Sequence, residues 1–174
     1  TNRQVASFIG KKMDGTPSKK PFVYRVHDVP DPDKIGAFSV FIKQFGYQMT
    51  IKTTKDIANS MNRVLADVSG KREENIVELL AIRTMSKAKY TTENIGHYGL
   101  GFHYYTHFTS PIRRWPDVMV HRLLQHYLDG EKVKNKEVIE TQCKHSSEME
   151  KLSTDAERSS IKYMQVKYLV GKEG

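Results

Sequence analysis

Hydrophobic residues recur every three or four positions along most of the chain, which is the spacing of helices with one buried face. The helical stripes occupy residues 1–13, 33–46, 53–70, 72–89 and 120–130. One short segment, Phe22–His27, is instead rich in β-branched and aromatic residues and predicts a strand. Alternation of glycine with larger residues over Gly99–Tyr104 predicts a second strand. The pattern as a whole predicts an α+β chain that is mostly helical.

The final third of the chain differs from the rest because it is polar over a long distance. Residues from Asn135 to about Val170 predict one long helix with a narrow inner stripe of small side chains, namely Ser146, Ser153, Ala156 and Ser160. Small side chains allow a helix to approach a neighbour closely, so this helix is expected to lie across the domain.

Residues 109–114, Thr-Ser-Pro-Ile-Arg-Arg, predict a helix start. A hydroxyl of Thr109 or Ser110 caps the helix, and Pro111 fills the first helical position, where no N–H is needed. The next three amides then have no partner inside the helix and form a binding site for an anion such as phosphate. Pro116 is expected to kink or restart this helix and to push Trp115 out of the helical region.

Arg113 and Arg114 follow this predicted cap and carry planar, permanently charged groups that match phosphate oxygens. Aromatic residues surround them along the chain: Phe102, Tyr104, Tyr105, Phe108 and Trp115. Flat rings beside cations are typical of nucleic-acid binding. The alternative is that the arginines are only solvated and that the rings pack in the core, which is true of many such residues.

Composition agrees with a polyanionic partner but is weak evidence by itself. The 174 residues fit one domain, the formal net charge is +8 and the pI is near 9.5. Cys143 is the single cysteine, so an internal disulfide is excluded, and we expect a buried thiol in a reducing cytoplasm. We expect no membrane span and no signal peptide, because no apolar run is long enough.

Three histidines, His97, His103 and His107, suggest a transition-metal site as an alternative. No cysteine or acidic residue lies at a fitting spacing, which disfavours this interpretation.

The run HFTSPIRRWPD at 107–117, followed by His-Arg-Leu-Leu at 121–124, resembles the signature of the ribonuclease II/ribonuclease R family, the RNB catalytic domain. The approach NIGHYGLGFHYYTHFTSP at 94–111 is similar to the bacterial ribonuclease R branch. Residues 1–6 and 155–158 also resemble that domain, so the resemblance covers essentially the whole chain. Trp115 stands where the family pattern usually has tyrosine.

The resemblance implies a 3′–5′ exoribonuclease that hydrolyses RNA processively to nucleoside 5′-monophosphates with two Mg²⁺ ions. The family's metal-binding aspartates have no counterpart here, since Asp28, Asp31 and Asp33 are better explained as a helix cap. The implied chain, 1–174, is then the C-terminal half of the catalytic domain, without metal ligands or OB-fold RNA-binding domains, and inactive alone. The expected partner is RNA, with no small-molecule cofactor, in the cytoplasm.

The resemblance also implies roles for particular residues. Arg113 matches the arginine that holds the terminal phosphates, and Glu157 matches a glutamate near the RNA 3′ end that orients Arg113 or contacts the terminal ribose. Without the resemblance, Glu157 would be interpreted as an exposed helix carboxylate. Further expected RNA or phosphate contacts are Thr109, Ser110, Arg114, His107 and Tyr105. The alternative function is a non-catalytic RNA-binding module.

Overall fold

A computed structural model describes residues 1–131 and 135–172. The helices and strands are α1 (Asn2–Gly10), β1 (Tyr24–Val26), α2 (Pro32–Lys43), α3 (Thr54–Val68), α4 (Glu74–Thr84), β2 (Lys89–Thr91), α5 (Trp115–Leu128) and α6 (Lys136–Leu169). This composition confirms the prediction of a mostly helical α+β chain. Contacts divide the chain into two compact units: unit 1 holds residues 1–26 and those from 89 onward, and unit 2 holds residues 27–88. Neither finding tests whether 1–174 is one half of a catalytic domain, which stays a prediction.

Unit 1 is built on an antiparallel pair of strands, β1 and β2, in which Tyr24 lies opposite Thr91. The segment that leads to the arginine motif runs along the free edge of β1. The Arg25 amide donates to the carbonyl of Tyr105 at 3.0 Å, and the buried hydroxyl of Thr106 donates to the Val23 carbonyl at 2.7 Å. The strand pair therefore determines where residues 105–106 lie, and with them the start of the motif.

The core of unit 1 joins these strands to α1, α5 and the first turns of α6. Its buried side chains include Ala6, Ile9, Phe22, Val23, Val26, Val120, Leu123, Ile139 and Cys143. The Cys143 thiol is fully buried, as expected, and burial raises its pKa to about 12. This thiol is therefore protonated and unreactive at neutral pH.

Unit 2 consists of α2, α3 and α4, packed around an apolar core. The buried members are Ile35, Phe38, Ile42, Met61, Val64, Val68, Val77 and Ala81. The Asp31 carboxylate caps α2 by accepting from the amides of Asp33 and Lys34, so the helix begins before Asp33. Thr53 caps α3, and Asp56 bonds back to the Thr53 amide, which makes a reciprocal capping box.

Two sequence predictions near the motif are wrong. The helix predicted over 72–89 ends at Thr84, and Lys89 begins β2. The strand predicted over Gly99–Tyr104 is a single 3₁₀ turn, Tyr98–Leu100. Gly101 closes this turn in the left-handed region at φ 65°, which a glycine adopts at no steric cost. The glycines that suggested a strand therefore lie in a tight turn, where the chain reverses direction.

The long helix predicted at the end of the chain is confirmed as α6, with Asn135 as its side-chain cap. Its 34 residues extend about 50 Å at 1.5 Å per residue, more than the diameter of a small domain. Only Ile139 and Cys143 are buried on it. The predicted inner stripe is wrong within the described residues: Ser146 is half-buried, whereas Ser153, Ala156 and Ser160 are exposed.

Candidate nucleic-acid interface

The chain makes a tight turn, not a helix start, at the arginine motif. The amides of Arg113 and Arg114 both donate to the Ser110 carbonyl, at 3.3 and 3.2 Å. Helix α5 begins only at Trp115, with Pro116 in its second position, where a missing N–H costs nothing. Pro116 was expected to kink or restart a helix, but it lies in the first turn of the helix that begins at Trp115. The predicted helix start at Pro111 is wrong, as is the site of three free amides.

Trp115 was expected to lie outside the helical region, but it is the first helical residue. The extended residue is Arg114, at φ −132° and ψ 114°. The backbone therefore changes direction between the two arginines, and phosphate binding at this turn would depend on side chains more than on the amides of Arg113 and Arg114.

Asp117 holds the turn in place. Its fully buried carboxylate accepts the Ser110 amide at 2.8 Å and two N–H groups of Arg114, Nε and Nη2, each at 2.9 Å. Arg114 is 20 % exposed, so Asp117 is the buried end of this ion pair and Arg114 is the end that reaches the surface. Asp117 was not among the residues predicted for the site, although its spacing of three from Arg114 would have allowed the pair to be proposed.

Arg113 remains exposed and lines a cavity of about 630 Å³ together with Arg114. The other lining residues that matter for charge and stacking are Tyr90, Trp115, His145 and Glu150. Trp115 is 48 % exposed, and the Arg122 guanidinium lies 5.2 Å from the centre of its ring. The predicted pair of arginines and one of the predicted aromatic residues therefore do share a cavity.

A second ion pair joins β1 to α6 beside this cavity. Arg25 donates to both carboxylate oxygens of Glu150, at 2.6 and 3.1 Å, and its guanidinium lies 4.6 Å from the centre of the Tyr90 ring. The Arg25 side chain is only 13 % exposed. Sequence reasoning missed both residues, because they are 125 positions apart and no local motif links them.

His107 lies under the cavity wall and is uncharged at neutral pH. Its Nδ1 shares a hydrogen bond of 2.8 Å with the Tyr90 hydroxyl. Burial, followed by the positive charges of Arg114 and Arg25, lowers the pKa of His107 to about 4. Burial raises the pKa of Tyr90 to about 12, so this hydroxyl keeps its proton. His107 thus supports Tyr90, which lines the cavity, and is not itself among the lining residues.

The other predicted contacts are distributed around the turn. Thr109 is exposed, and Ser110 is half-buried with its amide bonded to Asp117. The Tyr105 hydroxyl accepts from the Asn2 side chain at 3.3 Å. Tyr104 and Phe108 pack against the unit 1 core, as the core alternative for the rings proposed.

Glu157 is exposed on α6 and is not among the residues that line the cavity. It lies seven positions after Glu150, which places both carboxylates on one face of the helix, about two turns apart. Of these two carboxylates, Glu150 lines the cavity with Arg113 and Arg114, and it pairs with Arg25.

Possible metal ligands are dispersed in the part of the chain that the structure describes. Across residues 1–131 and 135–172, no three His, Cys, Asp or Glu side chains group as a metal ion requires. The Asp31 carboxylate caps α2, as the sequence analysis predicted, and that of Asp28 accepts the Val29 amide. No described helix is long and apolar enough to cross a membrane.

Comparison with known proteins identifies the family. The model of the RNB domain matches residues 1–130. The chain belongs to the RNB domain family. Ribonuclease R of Aquifex aeolicus is 37% identical over 157 residues, which are 88% of this chain and 22% of that protein. Ribonuclease R of Thermotoga maritima is 36% identical over 156 residues, with 86% and 22% covered. This RNB-domain chain thus spans about a fifth of the length of these relatives.

Solved structures agree with the fold of this RNB-domain chain. The apo form of Mycoplasma genitalium RNase R matches with a TM-score of 0.82 and 26% identity, covering 99% of this chain and 27% of that one. The same enzyme in complex with ribose methylated single-stranded RNA matches at 0.79, with 26% identity and 99% and 27% covered. Yeast Ssd1, described as a pseudonuclease, matches at 0.65 with 26% identity, covering 82% of this chain and 17% of that one.

The buried histidine makes stability depend on pH in a defined window. Folded His107 binds its proton only near pH 4, whereas an unfolded histidine binds it near 6.5, so between these values the unfolded state holds more protons. The contribution of His107 is therefore fully present above pH 6.5 and falls as the pH decreases toward 4. The free energy of unfolding should therefore fall as the pH is lowered from about 7 to 5, and we expect it to fall less in His107→Gln than in the wild type. Urea unfolding at both pH values measures it, and equal losses in the two proteins would contradict the assignment.

Proposed function

We propose that this chain is part of a 3′–5′ exoribonuclease of the ribonuclease R type, which hydrolyses RNA processively to nucleoside 5′-monophosphates. The observation that carries the proposal is the cavity at which Arg113 and Arg114 meet, with Arg114 fixed by buried Asp117. Support comes from the ribonuclease R relatives and from the RNA-bound Mycoplasma genitalium structures that share the fold. RNA is the proposed partner, and a reducing cytoplasm suits the buried free thiol of Cys143.

The proposed task of this chain is to hold and stabilise phosphate. Negative charge grows on the phosphate oxygens as the phosphodiester is attacked, so a guanidinium already in place lowers the barrier. Arg113 is exposed at the cavity and is the proposed direct contact. Arg114 retains N–H groups beyond the two that Asp117 accepts, since a guanidinium has five. The exposed indole of Trp115 offers a surface on which a base stacks.

Weaker contacts complete the proposed interface. The hydroxyls of Thr109 and Ser110, at the start of the turn, are proposed phosphate donors. Tyr105 and His107 support the segment beneath the cavity more than they contact RNA, because their side chains bond to other parts of unit 1. Glu157, two turns along α6 from Glu150, remains the proposed contact for the terminal ribose or for Arg113.

The described residues do not fit a Mg²⁺ site. Two catalytic Mg²⁺ ions held side by side require grouped carboxylate oxygens, and no group of three candidate ligands occurs among residues 1–131 and 135–172. In the proposed enzyme, the Mg²⁺ ligands come from outside this chain. The chemistry argued for residues 1–174 is therefore that of their cationic groups.

Product analysis tests the proposal. The full-length protein is incubated with Mg²⁺ and single-stranded RNA that is labelled at its 5′ end in one sample and uniformly in another. The 5′-labelled RNA should be degraded from the 3′ end with few intermediate lengths, as expected of a processive enzyme. Nucleoside 5′-monophosphates should accumulate, and blocking the 3′ end should slow their release. Internal cuts at early times, or products that carry a 3′-phosphate, would contradict the proposal.

The second candidate is a non-catalytic RNA-binding protein, favoured by the match to the yeast pseudonuclease Ssd1. The same experiment separates the two functions. A protein that retains labelled RNA on a filter while releasing no nucleotide under any divalent ion would belong to this second class.

A further inference from the structure

Asp117 is the charged residue that the fold buries most completely at the arginine turn. None of its side-chain surface is exposed, although it carries a carboxylate. Burying a charge without partners costs several kcal/mol, so this carboxylate is retained only because three N–H groups satisfy it. Those three donors belong to the two ends of the turn, Ser110 and Arg114.

This arrangement closes the turn twice. The main chain closes it once, where the amides of Arg113 and Arg114 donate to the Ser110 carbonyl. The Asp117 carboxylate closes it again, by joining the Ser110 amide to the Arg114 side chain. Because Asp117 belongs to the first turn of α5, the helix and the turn form one connected unit.

The two arginines are left in different states. Arg114 has its Nε and one Nη2 hydrogen committed to Asp117, so its remaining donors have a fixed direction at the cavity. Arg113 projects from a backbone that Asp117 holds, and its own side chain is exposed. Asp117 contacts neither the solvent nor, by its burial, any RNA.

We propose that Asp117 is a positioning residue for RNA binding, which fixes the Ser110–Arg114 turn so that both guanidinium groups reach the same phosphates. The inference rests on the proposed function, because RNA phosphates are taken as the ligand. Asp117 acts only through Ser110 and Arg114 and is not a catalytic residue.

The sign of the effect distinguishes positioning from simple charge. Asp117→Asn makes the protein one unit more positive, and a more positive protein binds RNA more tightly if charge alone matters. If Asp117 positions the arginines, the same change weakens binding. Asp129→Asn is the matched control, since it makes the same charge change at an exposed residue just after the same helix.

The experiment measures binding of a single-stranded oligoribonucleotide by the full-length protein in EDTA, at several salt concentrations. We expect Asp117→Asn to raise the Kd about tenfold and to flatten the slope of log K against log salt by about 0.7, the value for one lost phosphate contact. Asp129→Asn should bind at least as tightly as the wild type, and thermal unfolding should show that both variants are folded.

Arg113→Ala, measured in parallel, separates the two ideas. If Arg113→Ala weakens binding but Asp117→Asn behaves like Asp129→Asn, positioning by Asp117 is wrong and the proposed function stands. If neither Arg113→Ala nor Asp117→Asn changes Kd or slope, both are wrong. Should Asp117→Asn fail to fold, Asp117→Glu decides: it keeps the negative charge but displaces the carboxylate from the Ser110 amide and the Arg114 side chain. Weaker binding with a flatter slope supports the inference, and wild-type binding overturns it.

Discussion

Replacing Arg113 by alanine in the full-length protein is expected to slow RNA hydrolysis by about two to three orders of magnitude while leaving the fold intact. The Arg113 side chain is exposed and lines the cavity beside Arg114, while its backbone amide donates to the Ser110 carbonyl. Removing it therefore deletes a positive group at the proposed phosphate position and disturbs little of the core. Single-turnover cleavage of end-labelled RNA gives the rate, and circular dichroism checks the fold.

The matched control is Arg63→Ala, which removes the same charge from an exposed position on α3. Its cleavage rate should stay within about twofold of the wild type, because Arg63 does not line the cavity and an exposed surface charge contributes only through screened attraction. If Arg113→Ala also stays within that range, Arg113 has no part in the mechanism.

Residues 1–174 expressed alone should not hydrolyse RNA in the presence of Mg²⁺. The aspartates that most resemble a metal-binding cluster in sequence bond to backbone amides instead: Asp31 caps α2, and Asp28 accepts the Val29 amide. A divalent ion would lack the grouped oxygens it needs. The measurement is nucleotide release from labelled RNA, with the full-length protein as the positive control.

Processive release of nucleotides by residues 1–174 would contradict this expectation and would place a complete site within them. RNA binding by the same fragment, followed by gel shift, checks that it is folded enough for the comparison. Loss of that binding on Arg113→Ala in the fragment would connect the bound RNA to the arginine cavity.

Sequence patterns predicted regular elements well where local chemistry decides. The helix predicted over residues 53–70 and the long helix from Asn135 follow from residue type and spacing alone, and both are found. The arginine motif is different, because prolines at 111 and 116 each satisfy the rule for a helix start. The helix begins next to the second proline, Pro116, where the neighbouring residue Asp117 is buried and bonded to the Ser110 amide. Burial depends on the tertiary fold and cannot be seen in the local sequence.

The residues that line the cavity also show that tertiary contacts cannot be predicted from local sequence. Arg113 and Arg114 both line the cavity, and they could be proposed together from sequence because they are adjacent in the chain. Glu150 and Glu157 share a helical face and cannot be ranked by pattern. The residue that distinguishes them is Arg25, which is far away in sequence and pairs with Glu150 across the fold.

The connection between the two paired strands has a consequence for how such proteins vary. Val26 lies opposite Lys89 in the strand pair, so the polypeptide leaves and re-enters unit 1 at adjacent points. Everything between them, residues 27–88, has its own core. Segments whose ends lie side by side are those at which insertions and deletions are tolerated. Natural selection can therefore lengthen, shorten or replace residues 27–88 without changing unit 1, while the register that aligns Arg25 with Tyr90 is preserved.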